Sequence, residues 1–134
     1  MRRTALLIPV LALTACIFGS DAERVNIGIQ YTQLIDSIPT DAPKIEQIGT
    51  TIQLIHHFST PNSCYDFGSS AEQQGSVVEV KLTLAAGGGS CSGGTAYWGY
   101  VAQLNGVTTD ANRLGITYEL DGSPSRTEHA IPTP

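Results

Sequence analysis

The residues with which this chain could do chemistry are few: three cysteines, three histidines, a glycine and serine run, twelve acids and one aromatic cluster. Cys64 and Cys91 come first. A dithiol that cycles between redox states usually has C-x-x-C spacing, which keeps both sulfurs at one helix end. Positions 64 and 91 are far outside that spacing. His56 and His57 invite a metal reading, yet neighbours on a strand point to opposite faces, so one strand cannot offer both to one ion. His129 lies far away near the C-terminus, and no H-x-H, H-E-x-x-H or Cys/His cluster occurs. The expectation is no metal and no cofactor, with His56 buried or at an edge and His57 solvated.

The run over residues 87–94 surrounds Ser90, Cys91 and Ser92 with glycines. No lysine follows it as a phosphate loop requires, and neither serine has the flanking glycines of a G-x-S-x-G nucleophile elbow. It reads as a flexible connection. Every Asp and Glu falls at a turn or at an outward strand position, so no carboxylate pair is placed for glycoside hydrolysis. Asp110 and Asn112 give half of a calcium loop without its remaining ligands and read as a turn. In the aromatic cluster, Trp98 and Tyr100 share an apolar face and belong to a core, while Tyr97 faces away and is the candidate surface recognition residue. No catalytic residue is assigned.

The chain that must position these groups has 134 residues, enough for one domain. With 14 glycines, 7 prolines and only 14% charged residues, it favours turns and strands over helices. The net charge is -5, and its few basic residues are scattered. That argues against nucleic acid, which needs a basic patch to displace counterions.

Arg2 and Arg3 precede an apolar run that ends by Phe18, too short for a spanning helix and suited to an export signal. Its close, Leu13, Thr14, Ala15 and Cys16, resembles the lipobox of bacterial lipoproteins. The resemblance implies cleavage after residue 15, diacylglycerol on the Cys16 thiol, and a lipid anchor in the membrane. Ile17 after that cysteine implies the outer membrane, facing the periplasm or the exterior. An ordinary signal cut after Ala22 is the alternative. Export places Cys64 and Cys91 in an oxidising compartment, and lipidation of Cys16 takes up the odd thiol, so the remaining pair is expected to form a disulfide.

The ordered domain is expected over 24–122, behind a signal at 1–15 and a lipidated tether at 16–23. Val25, Ile27, Ile29 and Tyr31 alternate with polar residues, the period of a half-buried strand. Further strands are expected over 34–38, 44–48, 51–59, 76–86, 95–104 and 114–120, with 71–75 as a polar turn. Residues 123–134, with three prolines, are expected to be a disordered tail.

About seven short strands with turns between them predict an all-β fold, a single immunoglobulin or fibronectin-III-like sandwich, with a small barrel as the alternative. Pro61, Cys64, Tyr65, Cys91 and the run 114–118 resemble small secreted bacterial sandwich domains, which supports that fold and implies no activity. The expected function is a non-enzymatic binding or accessory module of the cell envelope with a protein or glycan ligand. A secreted protease inhibitor is the alternative, and a hydrolytic enzyme a third reading.

Overall fold

A computed structural model describes residues 22–35, 41–91 and 93–133. The export signal and Cys16 lie outside them, as do most of the strand expected over 34–38 and Ser92. The described chain is all-β: β1 (Ala22–Leu34), β2 (Lys44–Ile48), β3 (Thr51–Thr60), β4 (Tyr65–Gln74), β5 (Val77–Ala86), β6 (Ala96–Asn105), β7 (Arg113–Leu120) and β8 (Ser123–Ala130). They form one mixed sheet in the order β2-β3-β6-β1-β4-β5-β7-β8.

The sheet curls because β1 belongs to both of its halves. With 13 residues, β1 is long enough to pair with β4 through Ala22 to Val25 and then with β6 from Asn26 to Leu34. Two separate sheets were expected; instead the backbone ladder is continuous through β1. The inner faces still meet in one core. Ile52 and Leu54 of β3 and Ala102 and Leu104 of β6 pack in the same cluster as Val80 and Leu82 of β5 and Leu114 and Ile116 of β7. β5 and β7 are parallel neighbours, with β6 in the opposite half serving as their crossover.

Three sequence expectations are corrected here. Residues 71–74 are strand and not turn: Ala71 and Gln73 point inward and are buried, and the turn comes at Gly75, whose positive φ of 61° suits glycine. The buried Gln73 is satisfied, donating to Thr108 Oγ1 at 2.8 Å and accepting from Thr108 N at 3.0 Å. Residues 123–130, expected as disordered tail, form β8 against β7. As the outermost strand, β8 needs only one partner, so its polar sequence and Pro124 are tolerated. β1 also begins at Ala22, inside the expected tether.

The outer face of β5, β7 and β8 is held by charges. Arg126 forks onto Glu79 at 3.0 and 2.7 Å and reaches Glu128 at 3.1 Å; Arg113 binds Glu128 at 3.1 Å, and Lys81 binds Glu119 at 3.1 Å. Gly115 sits between Glu79 and Glu128 in the ladder, and a Cβ there would collide with Glu79 and Arg126. The bare strand lets the guanidinium cross it.

Candidate functional site

Cys64 and Cys91 are bonded, with Cα atoms 5.4 Å apart. Cys64 ends the β3–β4 connection and Cys91 lies in the β5–β6 connection, so the bridge joins two segments that carry the chain between the halves of the sheet. Gly87 N donates to Cys64 O at 2.7 Å, and a Cβ at Gly87 would lie 3.2 Å from that oxygen and from Asp66 Oδ2. The glycine allows the close approach. Nearby, Asp121 accepts from Tyr65 Oη at 2.6 Å and from Ala86 N at 3.0 Å, tying the β7–β8 turn to the same end.

The main polar arrangement in the interior starts at His56. Its Nε2 lies 3.3 Å from the Asp41 carbonyl, its Nδ1 lies 2.9 Å from Tyr118 Oη, and Tyr118 Oη lies 2.7 Å from Tyr100 Oη. A carbonyl can only accept, so in the neutral imidazole the proton sits on Nε2 and Nδ1 accepts from Tyr118. Tyr118 Oη in turn accepts from Tyr100. The direction of all three bonds follows from one backbone oxygen. Burial pushes the Tyr118 hydroxyl up to about 12, and burial with the neighbouring Tyr118 raises Tyr100 further still. Both therefore stay protonated at neutral pH and act as hydrogen-bond relays, not as bases.

Burial lowers the His56 pKa, and the neighbouring His57 and the more distant His129 lower it too, against the opposing pull of the Asp41 carbonyl. The neutral ring is the form the fold prefers. Its contribution to stability is therefore complete above the ordinary imidazole value of about 6.5 and is lost as pH falls below it. Glu128 behaves in a lower window: Arg113 first and Arg126 second hold its carboxyl below the usual range, so its contribution is lost only in stronger acid. Melting temperature is expected to fall on acidification from about pH 7 to about pH 5, and His56→Gln to flatten that fall. Thermal melts across this range check it, and an unchanged slope in the variant removes His56 as the cause.

His57 departs from expectation. Its ring stacks on His56 at 4.4 Å with the planes 27° apart, and both of its ring nitrogens are buried without a hydrogen-bond partner among the described residues. β2 pairs with β3 only as far as Ile55, so both histidines lie beyond that ladder, where the Asp41 carbonyl reaches His56. Stacked rings hold their nitrogen lone pairs in parallel planes, which does not suit chelation of one ion. Among the described residues no group of three or more His, Cys, Asp or Glu side chains is placed to hold a metal.

The aromatic residues sort largely as their alternation predicts. Tyr100 is buried, and Trp98 packs edge-on against Phe67 at 4.9 Å while donating to Thr60 Oγ1 at 2.9 Å. Tyr97 is half-buried on the outer face, between Leu34 and Ser59 in the ladder. The Tyr31 ring packs 4.6 Å from Phe67, and its hydroxyl is buried with no hydrogen-bond partner among the described residues. Tyr31→Phe removes a desolvated hydroxyl and breaks no bond, so it is expected to stabilise by about 1 kcal/mol. Thermal melting checks this; a lowered melting temperature would show that the hydroxyl is bonded.

Sequence reasoning missed how differently the two outer faces are made. β3, TIQLIHHFST, and β6, AYWGYVAQLN, contain no Asp, Glu, Lys or Arg, and neither does β1 from Asn26 onward. The register sets Asn105 between Asn26 and Thr51, Gln103 between Gly28 and Gln53, and Val101 between Gln30 and Ile55. This is a sheet face of amides, hydroxyls and aliphatic groups, with Lys44 and Glu46 only at its β2 rim. The signal was present as three strands free of charge, but only the ladder shows them side by side.

A groove of about 650 Å³ opens where β1 leaves β4, lined by Arg24, Asn26, Ser70, Glu72, Glu79 and Lys81 among others. Glu79 and Lys81 are already engaged by Arg126 and Glu119, so its charges do not converge on one bound group. No protein-family model, curated protein or solved structure matches this chain.

Proposed function

We propose that this chain is a cell-envelope lipoprotein, anchored in the membrane through Cys16, that works by surface contact as a non-enzymatic binding or accessory module. The observation that carries the contact reading is the partition of charge. The ion pairs gather on the outer face of β5, β7 and β8, while the outer face of β3, β6 and β1 has none. Depletion of charge is what distinguishes the central part of a recognition surface from ordinary surface. The anchor rests on the residues before the fold, where Leu13 to Cys16 follow an Arg pair and an apolar run. The sandwich reading, with β1 shared by both leaves, rests on the single core that their inner faces enclose.

Protease inhibition is the less favoured reading. It asks for a rigid extended loop, whereas residues 87–94 hold five glycines. Mass spectrometry of the mature protein tests the anchor, with an acylated N-terminal Cys16 as the expected result. An unmodified N-terminus at Glu23 would overturn it. Capture from envelope extract by the wild type and by Val101→Glu tests the contact face, since the reading requires the variant to lose what the wild type retains.

A further inference from the structure

We infer that the uncharged outer face of β3, β6 and β1, bordered by β2, is a self-association surface, occupied by the same face of a second copy of this chain. The inference rests on the proposal that this face is the contact surface, and it names the partner.

Three observations point to a second copy. The first is chemical self-complementarity. In a two-fold dimer, groups near the axis meet their own kind. A carboxylate or ammonium there would face an identical charge, whereas a primary amide carries both donors and an acceptor and can pair with another amide. Gln53 and Gln103 are direct ladder neighbours, with Gln30 one row away, and Thr51 Oγ1 already donates to Asn105 Oδ1 at 3.0 Å.

The second is the position of exposed apolar groups. Among the described residues the large exposed hydrophobics are Ile35 at 94%, Ile48 at 72%, Ile55 at 39% and Val101 at 41% exposure. Ile48, Ile55 and Val101 project from this one face: Val101 and Ile55 are cross-strand partners in its middle row, and Ile48 pairs with Thr51 at its corner. Gly28, with nothing within 4 Å of where its Cβ would be, leaves a depression beside Gln103 for an opposing side chain.

The third is size and charge together. β3 and β6 contribute 10 residues each, β1 from Asn26 to Leu34 pairs along β6 beside them, and the β2 rim adds 5; at about 3.4 Å per residue and about 4.8 Å between strands they make a face of about 550 Å². Two copies would bury about 1,100 Å², just over the roughly 1,000 Å² that a specific interface should clear. The whole chain carries a net charge of -5, so copies repel over most approaches. The centre of this face lets them meet without like charges opposed, since Lys44 and Glu46 stand only at its rim, with strands crossing at about −30° as in stacked sheets.

Sedimentation equilibrium of the full chain carrying Cys16→Ser, which excludes association through acyl chains, tests the inference. The expected result is a reversible monomer–dimer equilibrium. Val101→Glu should weaken it by about tenfold or more by setting like charges against each other. Mixing Val101→Glu with Val101→Lys should return the dimer. Val101 is already partly exposed, and the fluorescence of the single Trp98 confirms that each variant is folded. A chain that stays monomeric at the highest attainable concentration, or a dimer unchanged by Val101→Glu, overturns the inference. If the monomer is retained on a neutral polysaccharide and Val101→Glu is not, the face contacts a glycan; the contact reading then stands and self-association falls. If Val101→Glu alters neither association nor envelope capture, both fall.

Discussion

Phe58→Ala is expected to lower the unfolding free energy by about 3 to 5 kcal/mol, a large share of the roughly 5 to 15 kcal/mol that holds a domain of this kind. Phe58 is only 6% exposed, and its ring lies 6.2 Å from Tyr31, 5.4 Å from Phe67, 5.8 Å from Tyr100 and 5.7 Å from Tyr118. Those partners come from β1, β4, β6 and β7, so one side chain of β3 touches both halves of the curled sheet. The contact with Phe67 is edge to face at 89°, an arrangement that adds to the burial itself. Truncation opens a void between the halves that a continuous backbone ladder cannot close by sliding one against the other. Urea unfolding followed through Trp98 measures the loss. A change below about 1 kcal/mol would mean that the aromatic ring set does not hold the halves together.

Removing the Cys64–Cys91 crosslink is expected to cost about 3 to 4 kcal/mol by the chain-entropy estimate. The bridge spans 27 positions of sequence, which sets that magnitude. Cys64 is only partly buried and Cys91 is exposed, so replacing both with serine creates no core cavity. The effect should therefore act through the unfolded chain, which gains freedom. Reductant should lower the urea midpoint of the wild type to that of the double serine variant and leave the variant unmoved. Labelling of both thiols in the exported, unreduced protein would contradict the crosslink.

How much of this was legible beforehand depended on local pattern. β2, β3, β5, β6 and β7 follow from alternation, because period-two hydrophobicity survives wherever one face of a strand meets the core. β4 did not: no strand is expected over 65–70, and at its end inward Gln73 is polar and owes its burial to Thr108, 35 positions away. β8 did not either: SPSRTEHA has no apolar stripe and is a strand only because β7 offers it an unpaired edge. For the histidines, the rule that strand neighbours face apart misjudged His57. It ignores side-chain rotamers, and beyond the end of the β2 ladder the two rings turn toward each other.

By itself the sequence determined the all-β class, most strand positions, the pairing of Cys64 with Cys91, and the inward and outward sense of Tyr100 and Tyr97. The strand features depend on residue type and on spacing between near neighbours, which any strand of that composition must obey, and the cysteine pairing on there being only two thiols after Cys16. Only the tertiary structure decided that β1 would serve both halves, that Asp41 would orient a relay through His56, Tyr118 and Tyr100, and that three charge-free strands would lie adjacent. Each of those depends on which distant segments pair. Pairing is settled by the free energy of the whole core, which no local pattern contains.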